Sequence, residues 1–138
     1  MRNILFFIAT AGLVISDVAI AQVNKDPNYI YPQQLDSICS VVDAAYTYAV
    51  SNGYNFKERE VLKLKYETKS QIIDKFTSTE SHPIVKKMMI EAVNRGYYDG
   101  LNNPTRYHVF STANLLQGQC RQTILNNNEK IEIQHSGE

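Results

Sequence analysis

Cys39 and Cys120 are the only two cysteines in the chain, and an even pair of thiols in an exported protein reads as a disulfide. The rival chemistry, a thiolate zinc site, usually needs four ligands at tight spacing. His82, His108 and His135 are scattered along the sequence and form no such cluster. A nucleophilic arrangement can be assembled on paper from Ser111, His108 and Asp99. No Gly-x-Ser-x-Gly elbow frames the serine, however, and the spacing does not require the three to meet. Asp36 and Asp43 share a helix face, while Glu58, Glu60, Glu67 and the Glu91/Arg95 pair read as a solvated, ion-paired surface. A glycosidase would need two carboxylates across a cleft with one of them desolvated, which this spacing does not show. Glycine-rich phosphate loops are absent. No catalytic residue, metal ligand or cofactor is therefore assigned, and the chain leans away from being an enzyme.

The aromatic residues carry more information. There are nine tyrosines and no tryptophan. Tyr46, Tyr66 and Tyr107 fall on apolar helical stripes and are expected in the core. Tyr97, Tyr98 and Asp99, just before Asn102 and Asn103, sit at a helix-to-helix junction. Tyrosine suits a position where one end of the ring is buried and the other is wet, as in interfaces. Tyr97, Tyr98 and Asp99 are therefore the candidate interface.

The elements that position these residues follow from hydrophobic periodicity. Leu35, Ile38, Cys39, Val42, Ala45, Tyr46 and Ala49 recur in steps of three and four and predict a first helix from Pro32, with Asn52-Gly53 as its stop. A second helix is expected from Asn55, with Asn55 and Glu58 as a capping box. Its stripe is Val61, Leu62, Tyr66, Ile72, Ile73 and Phe76. Pro83 opens the third helix after His82, with Gly96 either ending it or serving as a close-packing point on the way to Gly100. Asn103-Pro104 predicts the start of a fourth helix, with Tyr107, Phe110, Ala113, Leu116, Cys120 and Ile124 on one face and Asn126 to Asn128 as its end.

The N-terminus supplies an address. Met1-Arg2-Asn3 is a short positive start, Ile4 to Ile15 an apolar run, and Ala19-Ile20-Ala21 a small-residue cleavage pattern, the three parts of a secretory signal peptide. The apolar run is too short to span a bilayer, and no cysteine follows it to accept a lipid. Basic and acidic residues balance at 14 each, and the mixed charges from Lys57 to Lys75 lack the one-sided patch that nucleic acid would need.

The reading is thus an all-α chain: a signal peptide over 1–21, a polar leader over 22–31, a helical domain over 32–126 and a flexible polar tail over 127–138. The domain is expected to be a small antiparallel four-helix bundle stapled by Cys39–Cys120. That layout resembles several small periplasmic proteins, among them immunity proteins and stress chaperones, but no shared motif carries a functional residue across. The expected function is a non-catalytic interaction protein of the bacterial periplasm, or else of the extracellular space, whose partner is another protein. The alternatives are an inhibitor or immunity protein neutralising a toxic partner, and a small exported hydrolase or lyase.

Overall fold

A computed structural model describes residues 26–136, so the expected signal peptide lies outside the described residues. The described chain is helical, with no strand among these residues. A 3-10 turn, Pro32–Gln34, leads into five α-helices: α1 Leu35–Lys57, α2 Arg59–Leu62, α3 Lys69–Thr77, α4 Pro83–Leu101 and α5 Arg106–Ser136. The chain falls into two units, one of residues 30–125 and one that includes 26–29 and 126–136.

In the larger unit the core is formed by Cys39, Val42, Ala45, Tyr46 and Ala49 of α1, Ile72 of α3, Val85, Met89, Ala92 and Val93 of α4, and Ala113, Cys120 and Ile124 of α5. Ile30 is fully buried with them, so the expected polar leader contributes a core residue at its end.

The helix directions follow from who meets whom. A Cβ at Gly96 would run into the carbonyl of Tyr46, and one at Gly100 into that of Val50. Residue numbers rise together, so α1 and α4 run parallel and in direct contact. Their meeting faces carry Ala45, Ala49 and Gly53 on one helix and Ala92, Gly96 and Gly100 on the other, spaced by four so that they stack in a line. Such small residues let two backbones approach closely, and carbonyls facing glycine Cα atoms are the geometry of Cα–H···O contacts. Gly96 is therefore a packing point within α4.

α5 runs opposite to α1. The disulfide joins Cys39 to Cys120 with Cα atoms 5.6 Å apart, and Arg121 pairs with Asp36. α3 also runs opposite to α1, with Glu67, just before α3, bound to Asn52 and Phe76 against the ring of Tyr48.

Three expected boundaries are corrected. Asn52-Gly53 does not stop the first helix, because Asn52 is buried and both ends of its amide are engaged: it donates to the Tyr48 carbonyl at 2.9 Å and accepts from the Glu67 amide at 2.7 Å. Gly53 lies against the Tyr97 backbone.

The expected second helix is broken. Lys63 takes a left-handed φ of 52° and ends α2, Lys63 to Thr68 carry no helix, and Thr68 with Gln71 forms the capping box that starts α3. Asn55, expected as the cap, instead donates to the Lys65 carbonyl at 2.9 Å.

The last helix does not end at Asn126, and the expected flexible tail is helical as far as Ser136. Its cap is Thr105, whose hydroxyl accepts from the His108 amide at 3.0 Å. Asn103, expected in that role, has a φ of 52° instead.

In the smaller unit the Tyr29 hydroxyl donates to Glu132 at 3.3 Å, and Asn127 donates to the Asn28 carbonyl at 3.2 Å.

Candidate functional site

Tyr97, Tyr98 and Asp99 occupy the last turns of α4, and each has a different environment. Tyr97 is half-buried. Its ring lies 6.2 Å from that of Phe56, and burial raises its hydroxyl above the usual tyrosine range. Tyr98 is 66% exposed. Asp99 turns inward, where its Oδ2 accepts a 2.6 Å hydrogen bond from the Tyr46 hydroxyl.

Tyr46 is the largest fully buried side chain among the described residues. Burial, and then the bond to Asp99, pushes its pKa up to about 12. The Thr112 side chain acts on the same hydroxyl in the opposite, lowering direction. His108 Nε2 approaches Asp99 Oδ2 at 3.3 Å from α5, with the imidazole half exposed. One carboxylate oxygen therefore ties together α1, α4 and α5 at this end. A buried hydroxyl without a partner is costly, so Asp99 is a structural partner for Tyr46 before it is anything else.

The structure brings His108 and Asp99 together, but no hydrogen bond joins Ser111 to His108 among the described residues. A groove of about 300 Å³ lies elsewhere, lined by Val42, Met88, Glu91, Leu116 and Cys120 among others. Neither Asp99 nor His108 lines it. Asp36 is held by Arg121, and burial raises the Asp43 carboxyl. Glu67, read from the sequence as surface lacing, lies 2.5 Å from the Tyr48 hydroxyl and 2.6 Å from the Lys75 ammonium. Those two donors hold its carboxyl below the usual range. No group of three or more histidine, cysteine, aspartate or glutamate side chains converges on a metal position among the described residues.

Two further rings at this end depart from the sequence expectation. Tyr107 and Phe110 were expected in the core, yet they are 80% and 67% exposed. The core face of α5 is instead built on Thr112, Ala113, Cys120 and Ile124, with Val109 and Leu116 beside them. Tyr107 and Phe110 point away from that face. α4 and α5 run antiparallel where Asp99 meets His108, so the residue before each, Tyr98 and Tyr107, falls on the same side of the helix pair. Phe110, three residues on, shares the face of Tyr107. The outward phase of Tyr107 could have been found from Cys120, since a disulfide cysteine fixes which side of the helix is inside.

No protein-family model, curated protein or solved structure matches this chain.

Proposed function

We propose that the chain is a small exported interaction protein without catalytic activity, whose signal peptide is removed after Ala21 and which works in a bacterial periplasm. In this reading its helical domain is an up-down-up-down four-helix bundle of α1, α3, α4 and α5, in which α1 and α4 run parallel, α3 and α5 run opposite to them, and α2 is a turn inserted before α3. The partner is another protein, which docks on the aromatic surface at the α4–α5 end.

The observation that carries the reading is the exposure of Tyr98, Tyr107 and Phe110, three large rings on the two helices that meet at this end. Exposed aromatic clusters of this kind mark binding surfaces, and aromatic anchors dominate interface energetics. The hydrolase alternative draws on the Asp99–His108 pair. Against it, Asp99 is already committed to Tyr46, and Ser111 is not joined to His108.

Capture from a periplasmic extract tests the proposal. Changing Tyr98 and Tyr107 together to Ala should weaken retention of the captured protein by at least 30-fold, roughly 2 kcal/mol, and leave the circular dichroism melt in place. Unaltered capture would put the interface elsewhere, and a collapsed melt would make the rings structural. Tyr97 is left out of the pair because its ring packs beside Phe56. N-terminal sequencing of the accumulated protein tests export separately: a chain that still begins at Met1 rejects it.

A further inference from the structure

The connection between α1 and α3 presents a second surface, distinct from the aromatic one. Every residue from Glu60 to Tyr66 is exposed. Among them Val61 is 77% and Leu62 50% exposed, and Leu64 is exposed as well. These aliphatic side chains alternate with Lys63 and Lys65, and Lys57, Arg59 and Lys69 flank them. Glu58, Glu60 and Glu67 are the acidic residues of the same stretch, and two of them are engaged. Glu60 lies 3.6 Å from Arg59, and Glu67 is held by Lys75 and Tyr48. Lys57, Lys63, Lys65 and Lys69 pair with no carboxylate among the described residues.

The base of this connection is fixed. Asn52 binds the Glu67 amide, Asn55 binds the Lys65 carbonyl, and the Phe56 and Tyr66 rings meet edge-on at 5.1 Å. The Arg59 guanidinium stacks 4.0 Å over the Phe56 ring. An anchored base carries an exposed tip, so the aliphatic residues are held out with little ordering left to do on binding.

The geometry points to an anionic lipid bilayer as the occupant of this surface: Val61, Leu62 and Leu64 enter the headgroup boundary while Lys57, Lys63, Lys65 and Lys69 lie on the lipid phosphates. Charge complementarity supports this partner, because basic residues ringing an apolar tip match an anionic surface laid over an apolar interior. The chemistry of the tip favours lipid over an acidic protein. Protein hot spots draw on Trp, Tyr and Arg; here Tyr66 and Arg59 are spent on the Phe56 ring at the base, the most exposed apolar residues, Val61 and Leu62, are aliphatic, and the free cations are lysines, point charges that need no fixed acceptor geometry. No described helix is long and apolar enough to span a bilayer, so the proposed contact is with its surface.

Vesicle co-sedimentation tests the inference, using the protein in the form in which the expressing cell accumulates it, so that any leader is common to all variants. The protein should sediment with vesicles of mixed phosphatidylglycerol and phosphatidylcholine, release in high salt, and stay in solution with phosphatidylcholine alone. Lys63→Glu with Lys65→Glu should lower binding by at least about 25-fold, roughly fivefold for each lysine lost. Val61→Asp with Leu62→Asp should abolish it, and both double variants should melt like wild type. The inference is overturned if wild type ignores the anionic vesicles, binds both vesicle types equally, or binds as well after either double substitution. Retention on immobilised polyglutamate without vesicle binding would also overturn it, in favour of an acidic protein.

Discussion

Along α1 and α4, small residues at every fourth position let two backbones touch. Between α1 and α3, large aliphatic residues stand in water. Both stretches break a simple rule of sequence patterning, in opposite senses. Gly53, Gly96 and Gly100 sit inside helices, where glycine costs about 1 kcal/mol relative to alanine, and each occupies a place where a methyl group would strike the facing backbone. Val61, Leu62 and Leu64 have the composition of a core and no core to enter. In the first region the unfavourable residue is explained by what lies within van der Waals distance. In the second much of the apolar surface stays open, with Val61 77% and Leu62 50% exposed, and a partner would account for it. The same test separates Gly118 from the other helical glycines, since nothing lies within 4 Å of where its Cβ would be.

The contrast can be broken most severely at the disulfide. Cys39→Ser removes a staple closing 81 residues of sequence separation, worth roughly 4 kcal/mol in the chain-entropy model. The thermal melt should fall by about 10 °C or more, and thiol labelling of the unreduced wild type should find no free cysteine.

Next comes the seam itself. Gly96→Ala places a methyl group against the Tyr46 carbonyl and 2.9 Å from the Ala49 Cβ. Backbone cannot step aside as a side chain can, so the loss should reach about 3 kcal/mol, read from denaturant midpoints.

Tyr46→Phe should cost about 2 kcal/mol, because it removes a hydrogen bond to a charged group. Its pH dependence is specific. The folded-state pKa of Tyr46 is raised from 10.0 to about 12, so the unfolded chain loses this proton first. The stabilisation is complete below pH 10 and is lost as pH rises from 10 towards about 12. The difference between wild type and Tyr46→Phe in melts should therefore shrink across that window.

At the open glycine the sign reverses: Gly118→Ala should stabilise by about 0.8 kcal/mol, seen as a higher denaturant midpoint. The smallest effect belongs to the connection. Leu62→Ser should change stability by no more than about 0.5 kcal/mol, and amide exchange should proceed from Glu60 to Tyr66 while the α1–α4 seam stays protected. A Leu62→Ser variant that melts like Gly96→Ala would erase the distinction between the two regions.

Much of the helical core was legible in the sequence. Leu35, Cys39, Val42, Ala45, Tyr46 and Ala49 keep helical spacing and are buried. The pairing of Cys39 with Cys120 followed from their number and their placement on apolar faces. What was not legible had tertiary causes. Asn52-Gly53 carries a stop signal, but a buried Asn with two backbone partners and a glycine against another helix override it. Val61, Leu62 and Tyr66 fit a helical stripe, yet periodicity reports only which residues share a side, not whether anything packs there.

The candidate site was legible in part. Tyr98 is 66% exposed, while Asp99 is turned inward by Tyr46, which sits on a different helix and shares no local motif with it. Tyr107 and Phe110 fit an apolar stripe with Ala113 and Leu116, yet both are exposed, because the buried face of α5 is set by Cys120, whose inward direction its bond to Cys39 fixes.

The Cys39–Cys120 bond also bears on how the chain reaches its native state. With two cysteines in the molecule there is a single intramolecular connectivity, so oxidation has no wrong isomer to reach and needs no reshuffling. A chain oxidised before it folds already holds the beginning of α1 near the middle of α5. The search for the remaining non-local contacts then starts from a closed loop, with part of the closure entropy removed in advance. Refolding of the oxidised chain should accordingly be faster than that of the reduced one, a difference in rate set by topology in addition to the difference in stability.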